Sequence, residues 1–172
     1  VRLSNCGRIA EHPRAMTTAS AAMTEFLEQA RSLAAGAGVF GPVTVKGGTL
    51  VCVAKDAAAP ASYRLFGEDG KVWVSLVMAD RWLSESVESD LEHTGDKIED
   101  LLEEELLEVG APSARLVVEH FRSDDLLFTF RSPLPVGPES PRSVEAAVKF
   151  LLAYEACFRN LGDMSAGSGD AE

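Results

Sequence analysis

Three histidines and three cysteines are the residues of this chain best suited to metal binding or covalent chemistry, and their spacing gives them no common site. His12, His93 and His120 stand far apart, without the short intervals that place two imidazoles on one helix face or turn. Cys6, Cys52 and Cys157 contain no C-x-x-C pair. A cysteine nucleophile would need a histidine brought to it by tertiary folding alone. Cys52 and Cys157 lie in apolar runs, where buried, reduced thiols are expected. Carboxylates are abundant, yet Glu103-Glu104-Glu105 and their neighbours have the pattern of a charged helix surface, with nothing to separate a general acid from a base. Gly36-Ala37-Gly38 and Lys46-Gly47-Gly48 lack the Lys-Ser/Thr of a phosphate loop and the G-x-G-x-x-G fingerprint. These residues predict no catalytic group, no metal, no cofactor and no enzymatic activity.

Charge is the next chemical signal, and it is local. Between Asp80 and Glu108 twelve acidic side chains face two basic ones, Arg81 and Lys97, a balance of −10 that nearly accounts for the −11 of the whole chain. Such a stretch repels phosphate backbones and anionic headgroups and attracts basic surfaces. Direct nucleic-acid binding and membrane binding are disfavoured; solubility or a basic protein partner, including one that itself handles nucleic acid, is favoured. No run approaches the roughly 20 apolar residues of a membrane span, and the start lacks the apolar stretch of a secretory signal, which predicts a cytoplasmic protein.

The elements that must position these residues follow from periodicity. With 46% hydrophobic residues in a chain of 172, there is enough apolar material for one ordinary core. Residues 1–22 and 163–172 have the composition of flexible tails, which leaves one domain over 23–162. Helical spacing predicts a first helix over Thr24–Ala35, ended by Gly36 and Gly38. Strands are expected over Val43–Lys55, where Lys46-Gly47-Gly48-Thr49 can bulge or turn the chain, then over Ser62–Phe66 and Lys71–Met78, the last two joined at Gly67-Glu68-Asp69-Gly70. An irregular acidic connection then leads to a second helix from about Asp96, with Ile98, Leu101, Leu102, Leu106 and Val109 as its stripe. Within the connection, Trp82 is expected to anchor the segment to the domain. Strands over Arg115–Arg122 and Leu126–Arg131 form a second hairpin, and Pro141 opens a final helix reaching about Gly162. The expected fold is α+β: an antiparallel sheet of about five strands with three helices, in the order α-β-β-β-α-β-β-α.

This layout, the length, the pI near 4.7 and the closing segment Val144-Glu145-Ala146-Ala147-Val148-Lys149-Phe150-Leu151-Leu152 resemble the YbjN-like family, whose fold is shared with type III secretion chaperones. The resemblance implies a non-enzymatic bacterial protein, a homodimer, that binds other polypeptides on its sheet or helix surfaces and acts as a chaperone-like, sensory-transduction or stress regulator.

Alternation along the strands gives that expectation a location. Val72, Val74, Leu76 and Met78 share one face, and Leu126, Phe128 and Phe130 continue it, so this is the core side. The opposite face carries Trp73, Val77, Val117, Phe121 and Leu127 among Lys71, Ser75, Arg115, Glu119, Thr129 and Arg131. Either a helix covers each face, or part of the second face is a subunit or client interface. Glu99, Glu103 and Glu104 are the candidate acidic contacts, against the simpler reading of a solvated helix surface. Two functions stand open: a protein-binding module, and a small ligand-binding domain or enzyme using a cavity between sheet and helices.

Overall fold

The computed structural model describes residues 14–139 and 141–166. Its elements are α1 (Arg14–Ala37), β1 (Val43–Lys46), β2 (Thr49–Val53), β3 (Ala61–Glu68), β4 (Lys71–Met78), α2 (Arg81–Thr94), α3 (Ile98–Glu108), β5 (Glu119–Arg122), β6 (Phe128–Pro133) and α4 (Pro141–Arg159). The class is α+β, as expected, with one antiparallel sheet ordered β1-β2-β3-β4-β6-β5. Among the described residues, six strands replace the five expected and four helices the three.

Each difference has a local cause. The single strand expected over Val43–Lys55 is a hairpin, because Gly47 and Gly48 both take positive φ (54° and 73°) and reverse the chain between Lys46 and Thr49. The acidic connection is a helix, α2. Asp80 caps it by accepting a hydrogen bond from the Leu83 amide at 2.8 Å, and Gly95 ends it in the left-handed conformation. Its buried side is narrow, Leu83, Ser84 and Val87. Trp82, expected to be an anchor, is 75% exposed on the other side. Of Arg115–Arg122 only Glu119–Arg122 pairs as a strand. Leu126, expected on the core face, sits in the turn at φ 62° and is exposed.

Helix α1 begins ahead of Thr24, so the N-terminal boundary expected at residue 23 falls within it; residues 1–13 and 167–172 of the expected tails, with His12 and Cys6, lie outside the described residues. Beyond α4, Met164 is buried in the core. There the chain meets α2: the Gly162 amide donates to Asp90 Oδ2 and the Asp163 amide to Ser86 Oγ, each at 3.0 Å.

The core lies on one side of the sheet. Leu50 and Cys52 of β2, Tyr63 and Leu65 of β3, alternate residues Val72 to Met78 of β4 and Phe130 of β6 pack with Phe26, Leu27 and Ala30 of α1 and with Phe150, Leu151, Tyr154 and Phe158 of α4. A buried hydrogen bond of 2.7 Å between the hydroxyls of Ser132 and Tyr154 ties β6 to α4. Helix α3 packs on α4, stacking the acidic stretch onto the helical layer.

Candidate functional site

Among the described residues, His93, His120, Cys52 and Cys157 stand in separate surroundings. Among the described residues no group of three or more His, Cys, Asp or Glu could hold a metal ion, and no helix is long and apolar enough to cross a membrane. Burial pushes the thiols of Cys52 and Cys157 up to about 12, so neither presents a thiolate near neutrality. His120 lies on the helical side of β5, its ring stacked on Phe130 at 3.8 Å. Its Nε2 is 2.9 Å from Glu88 Oε1 and its Nδ1 is 3.1 Å from the Thr129 carbonyl oxygen. Ser84 Oγ donates to the same Glu88 oxygen at 3.2 Å, so the carboxylate stands between serine and histidine. That order cannot pass the serine proton to the imidazole, as nucleophilic catalysis would require.

The opposite face of the sheet is where polar and apolar groups converge. Trp73 and Val77 are 8% and 6% exposed, yet neither belongs to the core cluster that the helices close. The sheet registers place three rows across this face: Thr49, Phe66 and Trp73; Val51, Arg64, Ser75, Arg131 and Glu119; Val53, Ser62, Val77, Thr129 and Phe121. A cavity of about 350 Å³ runs over them, lined only by strand residues and by the β5–β6 turn, with no helical residue in its wall. The space between sheet and helices, the other expected place for a ligand, is filled by Tyr63, Leu65, Phe150, Tyr154 and Phe158, all buried.

Arg131 organises one end of this trough. Its guanidinium lies 4.3 Å from the centre of the Trp73 ring and 5.0 Å from that of Phe121. Its Nη1 donates to Glu68 Oε2 at 2.8 Å and its Nε to Glu119 Oε2 at 2.7 Å. Burial opposes the charge, but the hydrogen bonds and fields of Glu119 and then Glu68 outweigh it and hold the guanidinium above its ordinary value. The Trp73 indole donates to the Glu68 carbonyl at 3.2 Å, which fixes the ring beneath the guanidinium.

The expected surface residues separate into three places. Val77, Phe121 and Leu127 line the trough, and Trp73 lies beneath Arg131. Val117 is 64% exposed in the segment before β5 and lines none of the cavity. Glu99, Glu103 and Glu104 sit on α3, across α4 from the sheet, so the acidic helix and the apolar face are two surfaces. Glu103 is bridged by Arg115, which also pairs with Asp100 at 2.9 Å. Arg64 escaped the sequence reading, although alternation through Ser62, Arg64 and Phe66 already pointed it away from Tyr63 and Leu65.

No protein-family model matches the chain, and neither a curated protein nor a solved structure does.

Proposed function

We propose that this protein is a non-enzymatic binding module of chaperone-like or regulatory type, and that it engages an extended segment of another polypeptide in the trough on the sheet face that the described helices leave open. One observation carries the proposal: Phe66 and buried Val77 line a cavity that none of the described helices closes, beside partly exposed Phe121 and Leu127 and next to Trp73, which lies under Arg131. Aromatic side chains held rigidly in a partly desolvated depression are the usual source of binding energy at interfaces. The trough crosses β2, β3, β4, β6 and β5, roughly 19 Å at ~4.8 Å per strand, the length of about six extended residues. The acidic layer formed by α2 and α3 adds long-range attraction for a partner that is basic overall. Homodimerisation belongs to the same proposal, as does a cytoplasmic site of action.

Selection of a phage-displayed peptide library on the purified protein tests the reading. Enriched peptides should bind wild type and lose at least tenfold in affinity to a Leu127→Asp variant, while Leu107→Ser, on exposed α3, changes nothing. Peptides insensitive to Leu127→Asp would remove the trough as the recognition surface. Light scattering at micromolar concentration tests the dimer, and a monomer there would remove that part.

A further inference from the structure

The two arginines of the central row are in opposite electrostatic conditions. Arg131 is neutralised by two carboxylates. Arg64 donates from Nε to Ser62 Oγ at 3.0 Å, and no carboxylate lies within ion-pair distance of it among the described residues. It is half-buried, and that burial draws its guanidinium below the ordinary value. A cation that has lost part of its hydration without gaining a counter-ion is a costly arrangement unless an anion completes it.

Next to it in the register stands Ser75, 1% exposed, whose Oγ has no hydrogen-bond partner among the described residues. Folded proteins leave few buried hydroxyls in that state. Arg64 and Ser75 both line the cavity, and Val77, Phe121 and Leu127 supply its apolar wall. Two adjacent donors beside an apolar wall are complementary to a flat, two-oxygen acceptor on an apolar stem. Glu68 and Asp125 also line the cavity, which sets a limit on the charge it accepts: a carboxylate carries one negative charge, whereas a phosphate would bring nearly two against these acids.

We propose that the trough binds a carboxylate, one oxygen paired with the Arg64 guanidinium and the other accepting from Ser75 Oγ, and that its source is an acidic side chain flanked by apolar residues in the docked polypeptide. This rests on the polypeptide-binding reading for the source of the group, and on the trough alone for its chemistry. A partner that is basic overall and acidic at the docked segment uses both surfaces of the molecule.

The chemistry is tested first, with benzoate as probe and benzamide as its neutral isostere, by following the Arg64 Nε–Hε signal in nitrogen-15 spectra of the full chain. Benzoate should shift that signal saturably and benzamide should not. Arg64→Gln should weaken benzoate binding about tenfold or more, the usual scale for a hydrogen bond to a charged group. Ser75→Ala should weaken it about threefold while leaving the thermal midpoint unchanged or higher, because it deletes a hydroxyl that has no partner. Equal shifts from both probes, or benzoate binding indifferent to Arg64→Gln, would overturn the carboxylate site. The source is tested with the selected peptides: changing their acidic residue to the amide should cost about tenfold against wild type and nothing against Arg64→Gln. Peptides that need Leu127 but not Arg64 would leave the binding module standing and sink the carboxylate anchor; benzoate binding without any Leu127-dependent peptide would do the reverse to the source.

Discussion

The two faces of the sheet use the same strands to opposite ends. On β4, Val72, Val74, Leu76 and Met78 point into a layer of helices, while Trp73, Ser75 and Val77 point the other way and are nearly as buried. The first set is hidden by other elements, the second by its own neighbours: an arginine laid over the indole and a hairpin turn at the rim. Burial by packed helices is cooperative and stiff. Burial by long charged side chains can be exchanged for burial by a partner, because those side chains can move without unpacking the domain. Low exposure alone therefore does not distinguish core from binding surface; what does the covering decides.

Adjacent residues on β4 make the comparison measurable. Leu76→Ala, on the helical side, should lower the unfolding free energy by about 3–5 kcal/mol, because it opens a cavity among fixed neighbours. Val77→Ala, on the trough side, should cost about 1–2 kcal/mol, close to the transfer value of the methyls removed. Urea unfolding decides between them. Equal losses would make the second face another core and remove the proposed role of the trough.

The seal between α2 and the end of α4 should be the next most sensitive place. Gly162 has φ 51°, and a Cβ there would stand 2.5 Å from the backbone carbon of Ser86. Gly162→Ala should cost about 1–3 kcal/mol through that clash, before any cost of the left-handed backbone. Thermal unfolding of this variant beside Ser75→Ala, expected to be neutral, contrasts a rigid contact of the helical layer with a hydroxyl on the open face.

Most of this architecture was legible because alternation and turn chemistry are local. Asp69-Gly70 announced one hairpin, and the β4 alternation separated the two faces correctly. Gly47-Gly48 was visible as a break, but whether such a pair bulges a strand or reverses it depends on which strand pairs with Val43–Lys46, a tertiary fact. Helix α2 was missed because its buried side is short and includes a serine, so the periodic signal is weak; Asp80 and Gly95 at its ends were the better clue. Of the candidate site, Trp73, Val77, Phe121 and Leu127 could be read from the strand faces. The lack of a carboxylate beside Arg64 and of a partner for the Ser75 hydroxyl among the described residues could not, since both depend on three-dimensional neighbours.

The helical layer also hides a charge, and its pH response should distinguish it from the trough. Glu155 is 6% exposed on α4 and accepts from Arg159 Nη1 at 3.2 Å. Burial raises its carboxyl above the usual 4.5, Arg159 pulls it back by less, and Glu105 adds to the rise. The folded protein thus takes up this proton more readily than the unfolded chain, so this group's contribution to stability falls as pH rises from 4.5 through the raised folded value. Glu155→Gln should flatten that part of the stability profile and leave benzoate binding untouched. An unchanged profile would mean that Arg159 fully compensates the buried charge.

The smallest effect on stability is expected at the acidic helix. Glu103 and Glu104 are exposed and Glu99 is half-buried; the Glu103–Arg115 contact is 3.4 Å long, with both side chains more than half exposed. An exposed pair of this kind contributes about 0–1 kcal/mol. Against it stands the repulsion of Glu99 and Glu103, one helical turn apart, and of Glu104 with the carboxylates around it, each of a similar few tenths. Changing Glu99, Glu103 and Glu104 together to Gln should therefore shift the unfolding free energy by no more than about 0.5 kcal/mol in either direction. Salt should reveal what stability does not: added sodium chloride screens the repulsion in wild type and stabilises it, a response that should be weaker in the triple variant. The same variant should slow association with a basic partner and reduce its salt dependence, leaving dissociation, governed by the trough, nearly unchanged. A loss of about 2 kcal/mol or more would instead make Arg115 and its carboxylates the clamp that holds α3 in place, and an unaltered association rate would leave the acidic layer with no part in recognition.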